Sequence, residues 1–248
     1  MPLMLALLFF VVAIVYASVG FGGGSTYTAL LALWGADYRI VPAVSLACNI
    51  IVVTGGVIRY KRLGLYDWRS TLPLIAVSVP LAFIGGLMPI REATFLLLLG
   101  GALLLSSAAL FIPPEKLPIK RLPWPATMII SAAVGLLAGL SGIGGGIFMS
   151  PVLHVIQWSD ARRISAFASL YILVNSAAGL VGQLYKSGAA AMLQPFAAYW
   201  PLLVAVLIGG QVGGMIGLRL LKPNYLRYIT ALVVVYAALN LLWKAAHV

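Results

Sequence analysis

Charge is scarce in this chain. Of 248 residues only 8% are Asp, Glu, Lys or Arg, where a soluble domain carries about 25%. That shortfall excludes a water-facing surface over most of the sequence. The five acids are Asp37, Asp67, Glu92, Glu115 and Asp160. All fall in connections or at the ends of apolar stretches, so the apolar interior lacks the carboxylate that proton and sodium pathways place there. One cysteine, Cys48, excludes an intrachain disulfide. Two histidines, His154 and His247, cannot supply a His/Cys metal cluster. Neither a metal nor any other cofactor is expected, and no ATP-binding motif is present.

Apolar residues are what the chain has in quantity: 62%, with a mean hydropathy of +1.07. Apolar stretches recur at about 3–34, 40–58, 71–90, 94–112, 126–158, 164–185, 196–218 and 225–243. Each is long enough to cross a hydrocarbon core of about 30 Å. The opening MPLMLALLFFVVAIVYASVG lacks the basic start of a signal peptide and leads into a motif that recurs later, so it is expected to belong to the fold. The fold class is an all-α polytopic membrane protein. A net charge of +11 invites a nucleic-acid reading, but the cations are scattered over the connections with no basic-aromatic face. Topology and anionic headgroups account for them, and no nucleic-acid partner is expected.

The chain repeats itself. SVGFGGGSTYT at 18–28 aligns with LSGIGGGIFMS at 140–150, so that Gly20, Gly22, Gly23 and Gly24 match Gly142, Gly144, Gly145 and Gly146. Ser45-Leu46 with Asn49 is echoed by Ser169-Leu170 with Asn175, and Gly85-Gly86 with Arg91 by Gly213-Gly214 with Arg219. The organisation is a first membrane repeat at 1–112, a basic linker with five prolines at 113–125, and a second membrane repeat at 126–248. Each half starts with a glycine-broken or re-entrant helical segment followed by three spans.

The segment from Leu3 to Trp34 would reach about 48 Å as one helix, which needs more tilt than spans adopt. A break at the glycines resolves this, either as a re-entrant hairpin or as one crossing with an unwound middle. Hairpins in both halves put twelve of the sixteen cations on one face: Arg59, Lys61, Arg62 and Arg69; Lys116, Lys120 and Arg121; Arg162 and Arg163; Arg219, Lys222 and Arg227. That face is then cytoplasmic, and the halves form an inverted repeat around a midplane site. Single crossings divide the cations almost evenly.

Each glycine in a helix interior costs about 1 kcal/mol relative to alanine. Broken backbone at membrane depth is tolerated where it lines a cavity, and free N–H groups at a helix start bind anions without a charged side chain. The expected substrate-binding residues are Gly22, Gly23, Gly24, Ser25, Thr26 and Asn49 from the first half. Gly144, Gly145, Gly146 and Asn175 are expected from the second, with His154 as a further contact. Ser45 and Ser169 are additional donors. Gly85-Gly86, Gly209-Gly210 and Gly213-Gly214 are expected to serve helix packing. Gly139-Leu140-Ser141-Gly142 matches the pattern of intramembrane serine proteases, but the chemistry needs a histidine in reach of the serine; no enzyme is expected.

GLLAGLSGIGGGIFMSPVL and SLYILVNSAAGLVG resemble the motifs of the sulfite exporter TauE/SafE family. The resemblance runs over nearly the whole chain, with GFGGGSTYT as a looser first copy. It implies a secondary transporter, an exporter of sulfite, organosulfonates or other small sulfur-containing anions in the bacterial inner membrane. An anion channel or a non-transporting membrane scaffold is the alternative class; the expected partners are the small anionic substrate, the lipid bilayer and a further copy of the chain in a homo-oligomer.

Overall fold

The computed structural model describes residues 3–111, 122–217 and, between 235 and 246, all but 237 and 244. The linker as far as residue 121 lies outside the described residues, with Glu115, Lys116, Lys120 and Arg121 in it. Arg219, Lys222, Arg227 and His247 also lie outside them.

Among the described residues every regular element is a helix: α1 (Leu3–Ser18), α2 (Gly24–Leu33), α3 (Val41–Arg62), α4 (Trp68–Leu87), α5 (Glu92–Phe111), α6 (Trp124–Ser141), α7 (Gly146–Val155), α8 (Ala161–Ser187) and α9 (Ala189–Gly217). Helix starts carry local signals. Asp67 accepts from the Arg69 N–H to cap α4, and Asp160 accepts from the Arg162 and Arg163 N–H groups, each at 3.0 Å, to cap α8. Prolines in the first turn open α3 and α6, where a missing N–H costs no hydrogen bond. Helices α3, α4, α6 and α8, with residues 196–216 of α9, are each long and apolar enough to cross a membrane. Large apolar side chains such as Leu7, Leu105, Ile129, Val204 and Met215 face outward, as lipid contact requires. The chain is a multi-pass membrane protein.

Glycines set the directions of the spans. A Cβ on Gly209 would strike the Phe10 carbonyl 2.5 Å away, and one on Gly213 would meet the Cα of Ile14 at 2.7 Å, so α1 and α9 run parallel with almost no side chain between them. Gly210 faces Val52 and Gly214 faces Arg59, which makes α3 parallel to α9 as well. Gly135 lies on Ser78 and Gly139 on Ala82, so α6 runs parallel to α4. Gly182 lies on Phe83, and the Lys186 amine donates to the Met88 carbonyl, so α8 joins the same direction. The two groups meet in opposite directions at α3 and α8, where Gly56 faces Ser169 and Leu46 faces Gly179. Backbone this close is how spans associate where lipid supplies no hydrophobic drive. The expected packing role of Gly85-Gly86, Gly209-Gly210 and Gly213-Gly214 is what these contacts show.

By direction the spans form two bodies, α1, α3 and α9 with the hairpin helix α2, and α4, α6 and α8 with α7, joined through a broad α3–α8 contact. Each borrows its outer helix, α9 or α4, from the other half of the sequence. The α3–α4 connection carries Gly64 at φ +65 and the α8–α9 connection carries Gly188 at φ +78, and a Cβ on either would meet nothing.

Both broken segments are hairpins. Helix α3 runs parallel to α1 yet starts eight residues after α2 ends, so α2 has to turn back; α7 turns back between α6 and α8 for the same reason. The Phe9 and Tyr27 rings stack with centroids 4.7 Å apart. An unbroken helix would hold those residues about 27 Å apart along its axis. Left-handed glycines make the turns: Gly20 and Gly23 at φ +85 and +87, and Gly142, Gly144 and Gly145 all at +81.

Candidate functional site

The two hairpin tips meet between α3 and α8. Helices α2 and α7 start there, at Gly24 and Gly146, and their N-termini carry the positive ends of two backbone dipoles. The first tip leaves the N–H groups of Gly22, Gly23, Gly24 and Ser25 without a hydrogen bond, and all four residues are buried. At the second tip the N–H groups of residues 143 to 147 are equally unpaired and buried. A buried polar group left unpaired costs about 1–3 kcal/mol, so this is a dense store of unmade donor bonds.

Polar side chains hold the tips in place. Ser45 Oγ and Thr28 Oγ1 both donate to the Gly24 carbonyl, at 3.0 and 2.7 Å. They fix that peptide plane and so the direction of the Ser25 N–H on its far side. The Asn49 side-chain amide donates to the Ile143 carbonyl at 3.1 Å, tying α3 to the other hairpin and fixing the Gly144 N–H in the same way. Asn49 Oδ1 and the Tyr27 hydroxyl are fully buried and have no partner. The first abuts Gly22 and Gly24, the second Gly23. Tyr16, at the end of α1, shares hydrogen bonds with Thr26 Oγ1 at 2.8 Å and Ser25 Oγ at 3.4 Å.

A small cavity of about 10 Å³, about the room one water molecule needs, lies at this junction. Its lining is Tyr16, Phe21, Gly22, Gly23, Gly24 and Ser25 from the first hairpin, Ile143 and Ile147 from the second, and Ile172 from α8. The contributions of the two hairpins are unequal. Gly22, Gly23 and Gly24 face the cavity, whereas from the second hairpin the lining is Ile143 and Ile147. Gly144 instead faces the buried Ser176 hydroxyl, the Asn49 amide and Ile172, Gly146 faces Ile172, and Gly145 faces Tyr171.

The expected residues are distributed accordingly. Gly22, Gly23, Gly24 and Ser25 line the cavity; Thr26 sits behind them on Tyr16; Asn49 braces both tips. Gly144, Gly145 and Gly146 form the second tip but look away from the cavity. Asn175 donates to the Tyr171 carbonyl of its own helix at 2.8 Å, leaving a buried Oδ1 unpaired. Ser169 donates to Ala166 one turn back. His154 lies in the last turn of α7, about 12 Å along the helix from the tip. The Ser141 hydroxyl donates to the Leu137 carbonyl at 2.6 Å within its own helix.

The pairing of Asn49 with Asn175 is corrected by these contacts. Asn49 lies on Gly22 and Gly24 of its own half and on Gly144 of the other; Ile172 lies on Gly144 and Gly146 of its own half and on Gly22 of the other. Ile172 is the positional counterpart. Sequence reasoning missed it, along with Tyr16, Phe21, Ile143 and Ile147. Holding the 122-residue offset of the glycines constant, in place of letting it drift, leads to position 171, next to Ile172.

Comparison with known proteins finds membrane transporters. The family model described as sulfite exporter TauE/SafE matches residues 5–241. A "probable membrane transporter protein" of Sinorhizobium fredii is 33% identical over 249 residues, covering 96% of this chain and 97% of that protein. Another protein of that description, from Methanocaldococcus jannaschii, is 22% identical over 187 residues, covering 71% of this chain and 69% of its own. No solved structure matches significantly.

Proposed function

The chain belongs to the sulfite exporter TauE/SafE family, and from that membership we propose that it is a secondary carrier exporting a small sulfur-containing anion across a bacterial inner membrane. It is a membrane transporter of a small-molecule substrate, not an enzyme. The observation that carries the anion reading is the row of buried, unpaired N–H groups at Gly22, Gly23, Gly24 and Ser25 on a cavity with no carboxylate beside it. An oxyanion satisfies those donors at once; a cation meets only the positive end of α2. Asn49 and Ser45 hold the cradle in shape, and Gly144, Gly145 and Gly146 place α7 so that its own N-terminus adds to the field.

In this reading the two sequence halves, 1–112 and 126–248 with the linker 113–125 between them, form an inverted repeat. The support is that α1 and α3 run opposite to their counterparts α6 and α8. The end of the bundle bearing Arg59, Lys61, Arg62, Arg69, Arg162 and Arg163 faces the cytoplasm. Alternating access comes from rocking of the two bodies, each with a borrowed helix, across the α3–α8 contact, with Gly64 and Gly188 as hinges. Rocking of one sequence half against the other would separate helices whose backbones touch. Export of one negative charge is driven by an inside-negative potential and gains about 2.3 kcal/mol per 100 mV, so a uniporter needs no coupling ion.

The test is the thermal stability of the purified protein in detergent with sulfite, sulfate, thiosulfate, sulfoacetate, taurine, nitrate and acetate at matched pH and ionic strength. A ligand at about 100 times its dissociation constant adds about 2.7 kcal/mol. Stabilisation by sulfur anions, absent in Gly24→Ala, is expected. Stabilisation by none of them overturns the cradle.

A further inference from the structure

The two hairpin tips are sealed from the ends of the bundle in different ways. Helix α1 runs towards the end that carries Arg59, Lys61, Arg62, Arg162 and Arg163, so Gly20, where the first tip begins, faces that end. Two residues from opposite sides of the α3–α8 contact close over it. A Cβ on Gly20 would lie 2.8 Å from the Tyr60 hydroxyl and 3.2 Å from both the Cβ and the carbonyl oxygen of Ser165. The Tyr60 ring reaches back along α3 over Gly56, as a helical side chain does, towards the N-terminus of its own helix and so towards the tip. Tyr60 and Ser165 are half-buried, whereas Gly20 and the cavity residues Gly22, Gly23, Gly24 and Ser25 are buried. A single layer of side chains therefore separates the first tip from the cation-rich end.

The opposite end is built otherwise. Gly142 begins the second tip, and a Cβ there would lie 2.5 Å from the Pro42 Cα and 2.8 Å from its carbonyl oxygen; both residues are buried. The 122-residue offset between Gly20 and Gly142 leads from Tyr60 to Gly182, which has no side chain to lay over a tip and packs on the Phe83 carbonyl. Backbone seals one end and a tyrosine side chain the other. A partly exposed side chain leaves its contact by a rotamer change, whereas a backbone contact opens only when a whole helix moves, which is slower by orders of magnitude. We propose that Tyr60 is the gate residue at the cation-rich end: its ring swings off Gly20 to open the first tip to that side, while the Gly142–Pro42 contact keeps the other side shut. The gate goes beyond the transport reading above, since it requires neither an anionic substrate nor rocking of the two bodies.

The experiment reads access to the tip in the absence of substrate, so its outcome is separate from that of the anion titration. Ser25, buried on the cavity, is replaced by cysteine in the full chain with Cys48→Ala. The rate of its reaction with an impermeant quaternary-ammonium methanethiosulfonate is measured from each side in membrane vesicles of both orientations. Arg62→Cys, in the same background, identifies the cation-rich side. Tyr60→Ala is expected to raise the rate at position 25 about tenfold from that side, as lowering the cost of opening by about 1.4 kcal/mol does, and to leave the rate from the other side unchanged. Tyr60→Phe keeps the ring and loses only the atom that lies on Gly20, so its effect is expected to be smaller. Tyr60→Leu falls short of Gly20 and is the second variant, expected to act in the same direction if Tyr60→Ala does not fold. Pro42→Ala is expected to change neither rate, because the atoms that touch Gly142 are backbone. Rates unmoved in both Tyr60→Ala and Tyr60→Leu overturn the gate. An equal rise from both sides also overturns it, since a loosened bundle and not a gate would then admit the reagent. A rise from the opposite side in Pro42→Ala overturns the backbone seal and with it the asymmetry.

Discussion

Asn49 and Ile143 lie 94 residues apart in sequence, and the side-chain amide of the first donates to the carbonyl of the second at 3.1 Å. This bond joins a span of one half to the hairpin tip of the other, at the place where two backbone breaks would otherwise leave carbonyls and amides facing hydrocarbon. Asn49→Leu keeps the volume but strands a buried carbonyl. The expected loss is about 1–3 kcal/mol of stability, together with loss of anion-dependent stabilisation. Asn49→Asp removes the same donor and sets a carboxylate beside the cradle, so it is expected to abolish anion binding outright. Thermal melts with and without anion separate the two effects.

Glycine substitutions sort by what a Cβ would meet. On Gly24 it would run into the Asn49 amide and lie 2.6 Å from the Ile143 carbonyl, so Gly24→Ala is expected to abolish binding by pushing the tips apart. On Gly101, inside α5, it would meet nothing. Gly101→Ala is therefore expected to be neutral in transport and more stable by up to about 1 kcal/mol. Equal effects of the two in a proteoliposome flux assay and a melt would contradict the packing.

The glycine breaks were legible in the sequence because they contradict everything around them: helix propensity, segment length and the demand for satisfied backbone in lipid. The recurrence of the glycine cluster was legible for the same reason, since Gly20 to Gly24 and Gly142 to Gly146 are hard to misalign. Other features were silent. Gly135, Gly139, Gly209 and Gly213 announce close packing but not with which partner, so the exchange of α4 and α9 between the halves could not be read. Ile172 is one more isoleucine in an apolar run, while Asn175, three residues on, is polar and conspicuous and turns back to its own helix. Polar residues in a span attract attention whether they face a ligand or a carbonyl one turn away.

The orientation of the bundle is open to labelling. Arg62 ends α3 at the end of the bundle where Arg162 and Arg163 start α8, whereas Lys186 reaches the Met88 carbonyl at the other end. Single cysteines at positions 62 and 186, in a Cys48→Ala background, are expected to react with an impermeant reagent from opposite sides of the membrane. Reaction from the same side would contradict the antiparallel meeting of α3 and α8.

Asp67 supplies a pH dependence. The Ser70 hydroxyl first, then the Arg69 and Ser70 backbone N–H groups and the charge of Arg163, hold its carboxyl below the ordinary value. A depressed carboxyl contributes stability that is complete above its unfolded value, about 3.9, and lost as pH falls through the folded value. The difference in melting temperature between the native protein and Asp67→Asn is expected to be constant from pH 8 to 5 and to shrink below pH 4. A difference that grew on acidification would reverse the sign and exclude the cap as its source.

The rocking of the two bodies proposed above makes the α3–α8 contact the surface that moves. Within each body the helices touch backbone to backbone: Gly139 on Ala82 and Gly179 in one, Gly213 on Ile14 in the other. Such contacts slide poorly, because each glycine fits against a single carbonyl. Between the bodies, a Cβ on Gly56 would sit 3.8 Å from the Cβ of Ser169, which is disulfide spacing. Gly56→Cys with Ser169→Cys, in the Cys48→Ala background, is therefore expected to cross-link on mild oxidation. Flux in proteoliposomes is expected to stop and to return on reduction, while each single cysteine is unaffected by the oxidant. Anion binding to the cross-linked protein is expected to persist, since the tips themselves are not displaced. If flux continues through the cross-link, the bodies do not move across this contact, and a path past fixed helices, as in a channel, takes the place of rocking.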